Sequence, residues 1–380
     1  MESIVATPLH TNPPQELKYE SGIMAFDKDI LQNLQQLPKQ FQWPSSDLVA
    51  TSDELLNEPL IDLDVMTKGD EAAISKAAEL VRNACMKHGF FQVTNHGVDQ
   101  DLIDAAYKEM QTIFNLPLSK KLSANRKPGT LEGYSSAHGD RFTAKLPWKE
   151  TYTFIYNNKQ ESESSEVVDF IKNAFGEELH HTGLVYQKYC EAMEKLSHVV
   201  LELLAISLGV DRLHYRNDFE DGHSLMRCNS YPSCKESSLT LGTGPHNDPT
   251  GITLLHQDQI GGLEALVDQK WLAVRPNPDA FVINIGDTFM AMTNGKFKSC
   301  LHRVLVNNEN ERMSLSCFVN PRGDKIVRPP NNLFGKEEPR KYPDFTWNEY
   351  RQFTLKYHRA DAETLDDFVS WIRSSKPSNF

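Results

Sequence analysis

Two histidines, a carboxylate and an arginine in one stretch of the sequence have the side chains needed for a metal site beside an anion site. His246 and Asp248 form a His-x-Asp pair, and His302 follows much later. Two imidazoles and one carboxylate can bind a divalent metal on one face and leave the opposite face open. Arg312 and Ser314 come next and would project to the same face of a strand. A guanidinium fork beside a hydroxyl suits a dicarboxylate, so the pattern predicts an open metal site next to a site for an acid.

A second His-x-Asp pair, His256 with Asp258, lies only ten positions downstream. Spacing alone cannot choose between the two pairs. His246 follows a Gly-Thr-Gly-Pro loop and is predicted at a strand entrance, where a ligand could face the mouth of a barrel. His256 ends an apolar strand and leads into a turn, so the residues favour His246 with Asp248.

The remaining members of the pattern also have plainer interpretations. A single histidine such as His302 in an apolar strand is most often a core residue, and an isolated arginine usually forms a surface ion pair. Arg312, however, begins the apolar run Met-Ser-Leu-Ser-Cys-Phe-Val. A guanidinium buried there is costly unless an anion meets it, which favours the joint interpretation.

The segment Asn229-Ser-Tyr231-Pro adds a further candidate. The two side chains would point to one face of a strand, and the tyrosine hydroxyl could join Ser314 on a carboxylate. From the residues alone, a half-buried strand without a binding role is equally well supported.

The elements that must position these residues change in type along the chain. Short β-type runs separated by turn residues begin at Ser224 and suggest a sandwich or jelly-roll barrel. Before them, helical spacing of apolar residues predicts helices over Glu71–His88, Asp99–Asn115 and His181–Leu208, and a short helix is predicted near Asp27–Leu37. Thr346–Arg373 returns to helix. Short strands are also predicted at Pro59–Asp64, Phe90–Thr94 and Thr151–Ile155. The predicted strands of the β part are Leu225–Tyr231, Ile252–Leu255, Leu263–Val267, Trp271–Val274, Phe281–Ile285, Arg303–Val306 and Ser314–Val319.

We therefore predict a mixed α/β chain with a mainly β core, a double-stranded β-helix (jelly-roll) with N-terminal helices and a C-terminal helical segment. Its parts are a partly flexible N-terminal arm (1–58), an α/β region with a long backing helix (59–220), a jelly-roll catalytic core (221–330) and a C-terminal helical lid (331–380). These parts are expected to form one integrated unit.

Composition excludes several classes of partner. The 380 residues carry a formal net charge of −12, which argues against nucleic acid or an anionic membrane surface. No run approaches the roughly 20 apolar residues that span a bilayer, and the first residues lack the features of a signal or transit peptide. The six cysteines show no Cys-x-x-Cys pair and are predicted to be buried free thiols in a reducing compartment. The predicted location is the cytoplasm.

The pattern resembles the catalytic core of the plant Fe(II)/2-oxoglutarate-dependent dioxygenases, and the chain as a whole resembles the gibberellin 20-oxidases. Leu146-Pro-Trp148-Lys149-Glu150-Thr looks like a signature of that family. The likeness runs from about residue 41 to residue 374.

The resemblance implies a complete set of roles. It assigns Fe(II) to His246, Asp248 and His302, makes His256 structural, and places Arg312 on the strand adjacent to that of His302. The cosubstrate 2-oxoglutarate and O2 complete the reaction, and ascorbate is expected to support it. The implied substrate is a diterpenoid carboxylic acid oxidised at carbon 20, and the enzyme is expected to be a monomer. The implied cosubstrate residues are Arg312, Ser314, Tyr231 and Asn229, and the candidate substrate residues are Trp148, Lys149 and Arg227.

Two other hypotheses remain open at this point. Ser230, Ser233, Asn247 and Gly251 depart from the family pattern near the pocket. Those changes suggest a related oxygenase acting on another plant terpenoid or phenolic. A zinc hydrolase or a non-catalytic metal-binding barrel would use the same ligands, but neither explains Arg312-x-Ser314.

Overall fold

Two facing β-sheets with helices packed behind the larger one form the core of the computed structural model. It describes residues 36–127, 129–138, 145–157, 165–357 and 364–375. The short helix predicted near Asp27–Leu37 lies outside the described residues except for its last two positions. The helices are α1 (Asp64–Lys68), α2 (Glu71–Lys87), α3 (Gln100–Phe114), α4 (Leu118–Ser123), α5 (Glu166–Phe175), α6 (His180–Leu208), α7 (His214–Phe219), α8 (Asp287–Met292), α9 (Trp347–Tyr357) and α10 (Thr364–Ser375).

The strands form one large and one small sheet, with a short two-stranded pair outside them. The major sheet has eight strands in the order β1-β2-β10-β7-β12-β5-β4-β3, and the minor sheet has four in the order β6-β11-β8-β9. The strands are β1 (Leu60–Asp62), β2 (Phe90–Thr94), β3 (Gly133–Ser136), β4 (Glu150–Asn157), β5 (His223–Tyr231), β6 (Leu241–His246), β7 (Ile252–Gln257), β8 (Leu263–Val267), β9 (Lys270–Ala273), β10 (Phe281–Ile285), β11 (His302–Leu305), β12 (Arg312–Asn320), β13 (Ile326–Val327) and β14 (Phe345–Thr346).

The helical layer forms where the sequence carries capping residues around an apolar stripe. Asp70 caps α2 by accepting hydrogen bonds from the amides of Ala72 and Ala73. The 29-residue α6 ends at Gly209, which has a φ of +68°, as expected of a glycine that closes a helix. Near the start of α6, the fully buried Tyr186 donates a hydrogen bond to the Ala106 carbonyl in α3. Its ring also packs on Phe154 of the major sheet, so α6 holds the helices and the sheet together.

The predicted fold class is confirmed: a mixed α/β chain with a jelly-roll core. The six cysteines are free and buried, as predicted. None of the helices within the described ranges is long and apolar enough to cross a bilayer. The region predicted to be α/β, 59–220, supplies β1 to β4, which are half of the major sheet. The domain limits themselves stay predictions.

The prediction missed the strand that leads into the metal site. Gly242-Thr-Gly244-Pro was expected to be a loop with His246 at the entrance of a strand, but Leu241–His246 is strand β6 and His246 is its last residue. Glycines disfavour strands in general, but here they make room for aromatic rings. A Cβ on Gly242 would lie 2.6 Å from the Tyr231 ring, and one on Gly244 would lie 2.2 Å from the Trp43 ring.

The N-terminal arm crosses the minor sheet and is fixed there by buried side chains. Arg303 of β11 donates to the carbonyls of Asp47 and Val49, and its guanidinium pairs with Glu264 at 2.7 Å. Trp43 donates from its indole nitrogen to the Leu146 carbonyl. The arm therefore forms part of the wall behind the strands that carry the two histidines.

The C-terminal helices pack onto the core beside α8. The Tyr350 hydroxyl in α9 donates to Asp287 at the start of α8, and both side chains are buried. No residue in the described part of 331–375 lines the cavity that contains the two histidines. A lid role for this segment stays a prediction.

Candidate active site

His246 and His302 lie side by side on neighbouring strands of the minor sheet. They are register partners of β6 and β11, and their ring centroids are 4.2 Å apart. Sequence positions far apart are thus brought together by one antiparallel pairing. Both rings face the cavity between the two sheets.

Asp248 completes the cluster from the turn that follows β6. Its Oδ1 lies 3.6 Å from Nε2 of His246 and 3.7 Å from Nε2 of His302. Among the described residues, these three form the one group of histidine, cysteine and acidic side chains arranged to hold a metal ion. Two imidazole nitrogens and a carboxylate oxygen are donors that Fe(II) accepts, so the residues present fit the metal that the sequence implies.

The backbone fixes which nitrogen each histidine offers to a metal. Nδ1 of His246 lies 2.9 Å from the Gly244 carbonyl, and Nδ1 of His302 lies 3.1 Å from the Cys300 carbonyl. A carbonyl can only accept, so both Nδ1 atoms carry the proton and both Nε2 atoms present a lone pair to the centre of the cluster.

Charges in the cluster agree with this arrangement. Burial, and then the neighbouring His302, lowers the pKa of His246, so the ring is neutral at pH 7. Burial acts to raise the pKa of Asp248, but the two histidines and the hydrogen bonds to its side chain outweigh it, and its pKa lies below the ordinary value. His246 and Asp248 are therefore ready to bind a cation without first losing a proton.

Arg312 lies on the facing sheet, on the other side of the cavity. The family pattern placed it on the strand adjacent to that of His302, but β11 belongs to the minor sheet and β12 to the major sheet. The two strands are neighbours along the chain only, because the segment between them crosses from one layer to the other. Metal ligands and arginine therefore face each other rather than sharing a sheet.

The Arg312 guanidinium is buried and only partly satisfied. Its Nη2 donates to Gln257 Oε1 at 3.0 Å, its Nη1 to Ser314 Oγ at 3.4 Å, and its Nε has no partner. It lies over the ring of Tyr231, 5.0 Å from the centroid. Within the described ranges no carboxylate lies within ion-pair distance of this cation, which is 1% exposed, and the charge of Asp258 acts on it only from farther away. An incoming carboxylate would supply the missing charge and acceptor.

The other predicted cosubstrate residues surround this guanidinium. Cross-strand register places Tyr231 opposite Arg312 and Asn229 opposite Ser314. Asn229 donates from Nδ2 to Ser314 Oγ at 3.3 Å and is 3% exposed. All four side chains line the cavity, as the alternation of the two strands predicts.

Two further cations line the same cavity, and Trp148 does not. Lys149 donates from Nζ to Thr243 Oγ1 at 3.0 Å, and Arg227 donates from Nε to Thr153 Oγ1 at 3.1 Å. Burial, followed by the charge of Arg227, holds the pKa of Lys149 well below its usual value. Trp148 was a candidate substrate contact, but its indole meets Phe41 edge-on in a separate buried cluster. Consecutive residues point to opposite sides of an extended chain, so only Lys149 faces the cavity.

The second His-x-Asp pair has a structural role in this geometry. Nε2 of His256 donates to the Pro278 carbonyl at 3.1 Å, and its Nδ1 lies 3.0 Å from the Tyr107 hydroxyl. The Asp258 carboxylate accepts hydrogen bonds from the backbone amides of Ile260 and Met313. Both nitrogens and both oxygens have partners already.

The sequence did not reveal three side chains that support the site. Thr253 and Asn284 hydrogen bond to Asp248, and Gln257 holds Arg312. One signal was available: an asparagine in the apolar strand Phe-Val-Ile-Asn-Ile needs a buried partner. Nothing in the sequence distinguished Thr253 or Gln257.

The four departures from the family pattern lie away from the cavity. Ser230 donates to Glu311, Asn247 donates to the Ser299 carbonyl, and Gly251 packs against Phe219. Ser233 is exposed. None of the four lines the cavity, so these changes give no reason for a different pocket.

Comparison with known proteins agrees with the site. Residues 222–321 match the 2OG-Fe(II) oxygenase superfamily, and residues 59–173 match the N-terminal region described for a non-haem dioxygenase in morphine synthesis. The chain is 47% identical to gibberellin 20 oxidase 3 of Arabidopsis thaliana, over 95% of this chain and 96% of that protein. It is 48% identical to gibberellin 20 oxidase 2 of Oryza sativa subsp. indica, over 96% of this chain and 93% of that protein.

Solved structures give the same answer at the level of the fold. The crystal structure of JOX2 in complex with 2OG, Fe and JA superposes with a TM-score of 0.78 at 30% identity, covering 91% of this chain and 98% of that one. The rice dioxygenase for auxin oxidation superposes with a TM-score of 0.66 at 27% identity, covering 79% of this chain and 95% of that one. The chain is therefore a 2-oxoglutarate-dependent dioxygenase that uses Fe(II) and O2, and it belongs to the gibberellin 20 oxidase family of the 2OG-Fe(II) oxygenase superfamily.

Proposed function

We propose that this protein is a gibberellin 20-oxidase, which oxidises carbon 20 of a diterpenoid carboxylic acid stepwise during gibberellin biosynthesis. The observation that carries the proposal is a buried three-residue metal cluster facing an arginine without a counter-ion, in a chain similar over nearly its whole length to gibberellin 20 oxidases. The predicted cytoplasmic location and monomeric state belong to the same proposal.

In this proposal the minor sheet and the turn after β6 hold the metal. Nε2 of His246, Nε2 of His302 and Oδ1 of Asp248 are the ligand atoms, since they converge with their lone pairs free. Fe(II) bound there, with 2-oxoglutarate and O2, supplies oxidative decarboxylation of the cosubstrate coupled to oxidation of a C–H bond. The protein contributes ligation, orientation and exclusion of bulk water.

The major sheet holds the far carboxylate of 2-oxoglutarate. Arg312 supplies the charge, the Ser314 hydroxyl a donor, and Tyr231 packs beneath the guanidinium. Asn229 orients the Ser314 hydroxyl by donating to its oxygen, which leaves the hydroxyl proton free for the cosubstrate. The buried setting makes these charge-assisted bonds stronger than they would be in water.

Lys149 and Arg227 are the proposed anchors for the substrate carboxylate. Both line the cavity, Arg227 from β5 and Lys149 from just before β4, and Arg312 is assigned to the cosubstrate. A carboxylate beside Lys149 favours its charged form and so offsets the burial that lowers its pKa. Apolar lining residues, including Leu255 and Phe318, suit the hydrocarbon rings of a diterpenoid.

Product analysis tests the proposed substrate. Purified protein with Fe(II), 2-oxoglutarate and ascorbate should convert carbon-20 gibberellin precursors, with succinate released in step with product detected by mass spectrometry. The same precursors without a carboxylate should be poor substrates, and Lys149→Met should raise the KM for the acid more than for its methyl ester. If gibberellin precursors give no coupled succinate while another plant terpenoid or phenolic does, the substrate assignment is wrong and the oxygenase assignment stands.

A further inference from the structure

We propose that Thr253 and Asn284 are positioning residues that make Asp248 a one-oxygen metal ligand. The inference rests on the metal site proposed above and concerns how the carboxylate is presented there. Neither residue is itself a ligand candidate. Their role follows from where the two carboxylate oxygens lie.

The two oxygens of Asp248 are in different surroundings. Oδ2 accepts a hydrogen bond from Thr253 Oγ1 at 2.7 Å and another from Asn284 Nδ2 at 2.9 Å. Oδ1 faces Nε2 of both histidines. All three residues are buried, each 4% exposed, so leaving Oδ2 without either donor would carry a desolvation cost.

The two donors are placed by one pair of strands. Thr253 of β7 and Asn284 of β10 are register partners, so their side chains lie on the same face of the major sheet. These two donors, called the clamp from here on, therefore reach from the major sheet to the turn that carries Asp248, while the two histidines belong to the minor sheet. The clamp fixes the carboxylate relative to both layers.

The backbone of Asp248 is held by the same segment that carries Asn284. The amide of Asp287 donates to the Asp248 carbonyl at 2.8 Å, and the amide of Gly286 donates to the Gly251 carbonyl at 2.8 Å. The approach is so close that a Cβ on Gly286 would lie 2.1 Å from the Thr250 carbonyl oxygen. The segment that carries Asn284 and the turn that carries Asp248 are thus held in a fixed position relative to each other.

The consequence concerns the number of coordination positions left for reactants. A carboxylate can bind a metal through one oxygen or through both. In an octahedral site, two histidines and one carboxylate oxygen leave three positions, which a bidentate 2-oxoacid and O2 would fill. A second carboxylate oxygen would take one of them. By occupying Oδ2, Thr253 and Asn284 keep that position free.

Metal binding by the metal-free protein tests the clamp without relying on turnover. Mn(II), a redox-stable substitute, is titrated by calorimetry into wild type, Thr253→Val and Asn284→Leu. Partners of this kind typically contribute 10- to 100-fold to metal affinity, so each variant should bind Mn(II) roughly 10- to 100-fold more weakly. With Mn(II) saturating, 2-oxoglutarate should also bind more weakly, because an Oδ2 that keeps only one hydrogen bond can compete for its position.

Two variants separate the clamp from general packing. Thr240→Val makes the same change at a threonine that is 1% exposed and whose hydroxyl has no partner, and it should bind Mn(II) like wild type. Thr253→Ser keeps the hydroxyl and should also bind like wild type. If Thr253→Ser loses as much affinity as Thr253→Val, or Thr253→Val loses none, the proposed clamp is overturned.

His302→Ala distinguishes failure of the clamp from failure of the site. If His302→Ala keeps wild-type Mn(II) affinity, the metal site itself is wrong. If His302→Ala loses Mn(II) while Thr253→Val and Asn284→Leu keep it, the site stands and only the clamp is refuted. Weaker 2-oxoglutarate binding alongside weaker Mn(II) binding supports the one-oxygen geometry, and unchanged 2-oxoglutarate binding refutes that part.

Discussion

Replacing Arg312 by methionine should strongly weaken cosubstrate binding while leaving the metal-free protein about as stable as wild type. Methionine fills a similar length of space without a charge. The substitution separates two roles, because Arg312 is buried without an ion pair among the described residues, whereas Arg303 is equally buried and pairs with Glu264 at 2.7 Å. The two arginines therefore form a matched pair for comparison.

The magnitudes follow from those surroundings. Removing one partner of a buried charge pair costs about 2–5 kcal/mol in binding, so the Kd for 2-oxoglutarate should rise by roughly 30-fold to several thousand-fold. In the free protein, Arg312→Met gives up hydrogen bonds to Gln257 and Ser314 but also removes a desolvated charge, and these effects nearly cancel, to within about 1 kcal/mol. Arg303→Met leaves Glu264 buried and unpaired and should cost about 3–5 kcal/mol.

Unfolding in urea with and without 2-oxoglutarate measures both quantities. In the presence of Mn(II), 2-oxoglutarate at 100 times its Kd should stabilise wild type by about 2.7 kcal/mol. At that concentration the gain of the Arg312→Met protein should be at most about 0.9 kcal/mol, because its Kd is at least 30-fold higher. Without 2-oxoglutarate, Arg303→Met should have a lower free energy of unfolding than wild type.

One result would refute the reasoning about the buried guanidinium. If metal-free Arg312→Met is destabilised as strongly as Arg303→Met, then Arg312 has a structural counter-ion and is not waiting for a carboxylate. Unaltered 2-oxoglutarate affinity in the same variant would remove Arg312 from the cosubstrate site altogether.

Three further predictions follow from other parts of the structure. His302→Ala should abolish turnover and Mn(II) binding. His256→Ala should bind Mn(II) normally and lose about 1–3 kcal/mol of stability, because its buried hydrogen bonds are removed. Equal loss of Mn(II) binding in both variants would mean that the wrong His-x-Asp pair was chosen. Burial lowers the pKa of His88 from 6.5 to about 4, so the unfolded chain takes up its proton first, and the contribution of His88 to stability should be complete above pH 6.5 and fall towards pH 4. Since His223 has the same depressed pKa, His88→Gln should make that part of the urea-unfolding profile less steep, and an unchanged profile would contradict it. Gly244→Ala should displace the Trp43 ring, costing about 1–3 kcal/mol and speeding proteolysis of the arm, and unchanged Trp43 fluorescence and cleavage would count against that contact.

The sequence predicted the reactive groups better than their supports. His246, Asp248, His302 and Arg312 stood out because charged and metal-binding side chains in apolar surroundings need a reason to be there. Apolar periodicity located α2, α3 and α6 within a residue or two of their observed ends. Both kinds of signal are local, so they survive without knowledge of the fold.

What the sequence could not supply depends on contacts between distant segments. Strand β6 contains two glycines and a proline, and it becomes a strand because Tyr231 and Trp43 fill the space beside those glycines. The pairing of Thr253 with Asn284 depends on strand register, which no short stretch of sequence contains. The placement of Arg312 opposite the histidines depends on where the chain crosses between layers.

Because the metal ligands and the arginine lie on opposite layers, the distance between the layers limits the length of the cosubstrate. The metal ligands hang mainly from the minor sheet and the arginine from the major sheet, and packed sheets keep a nearly fixed separation of about 10 Å. A diacid that reaches from one side to the other must have the right number of carbons, so shorter and longer 2-oxo diacids would be rejected by length before any side chain discriminates between them. Once bound, a diacid that contacts both sides would also stabilise the packing of the two sheets against each other.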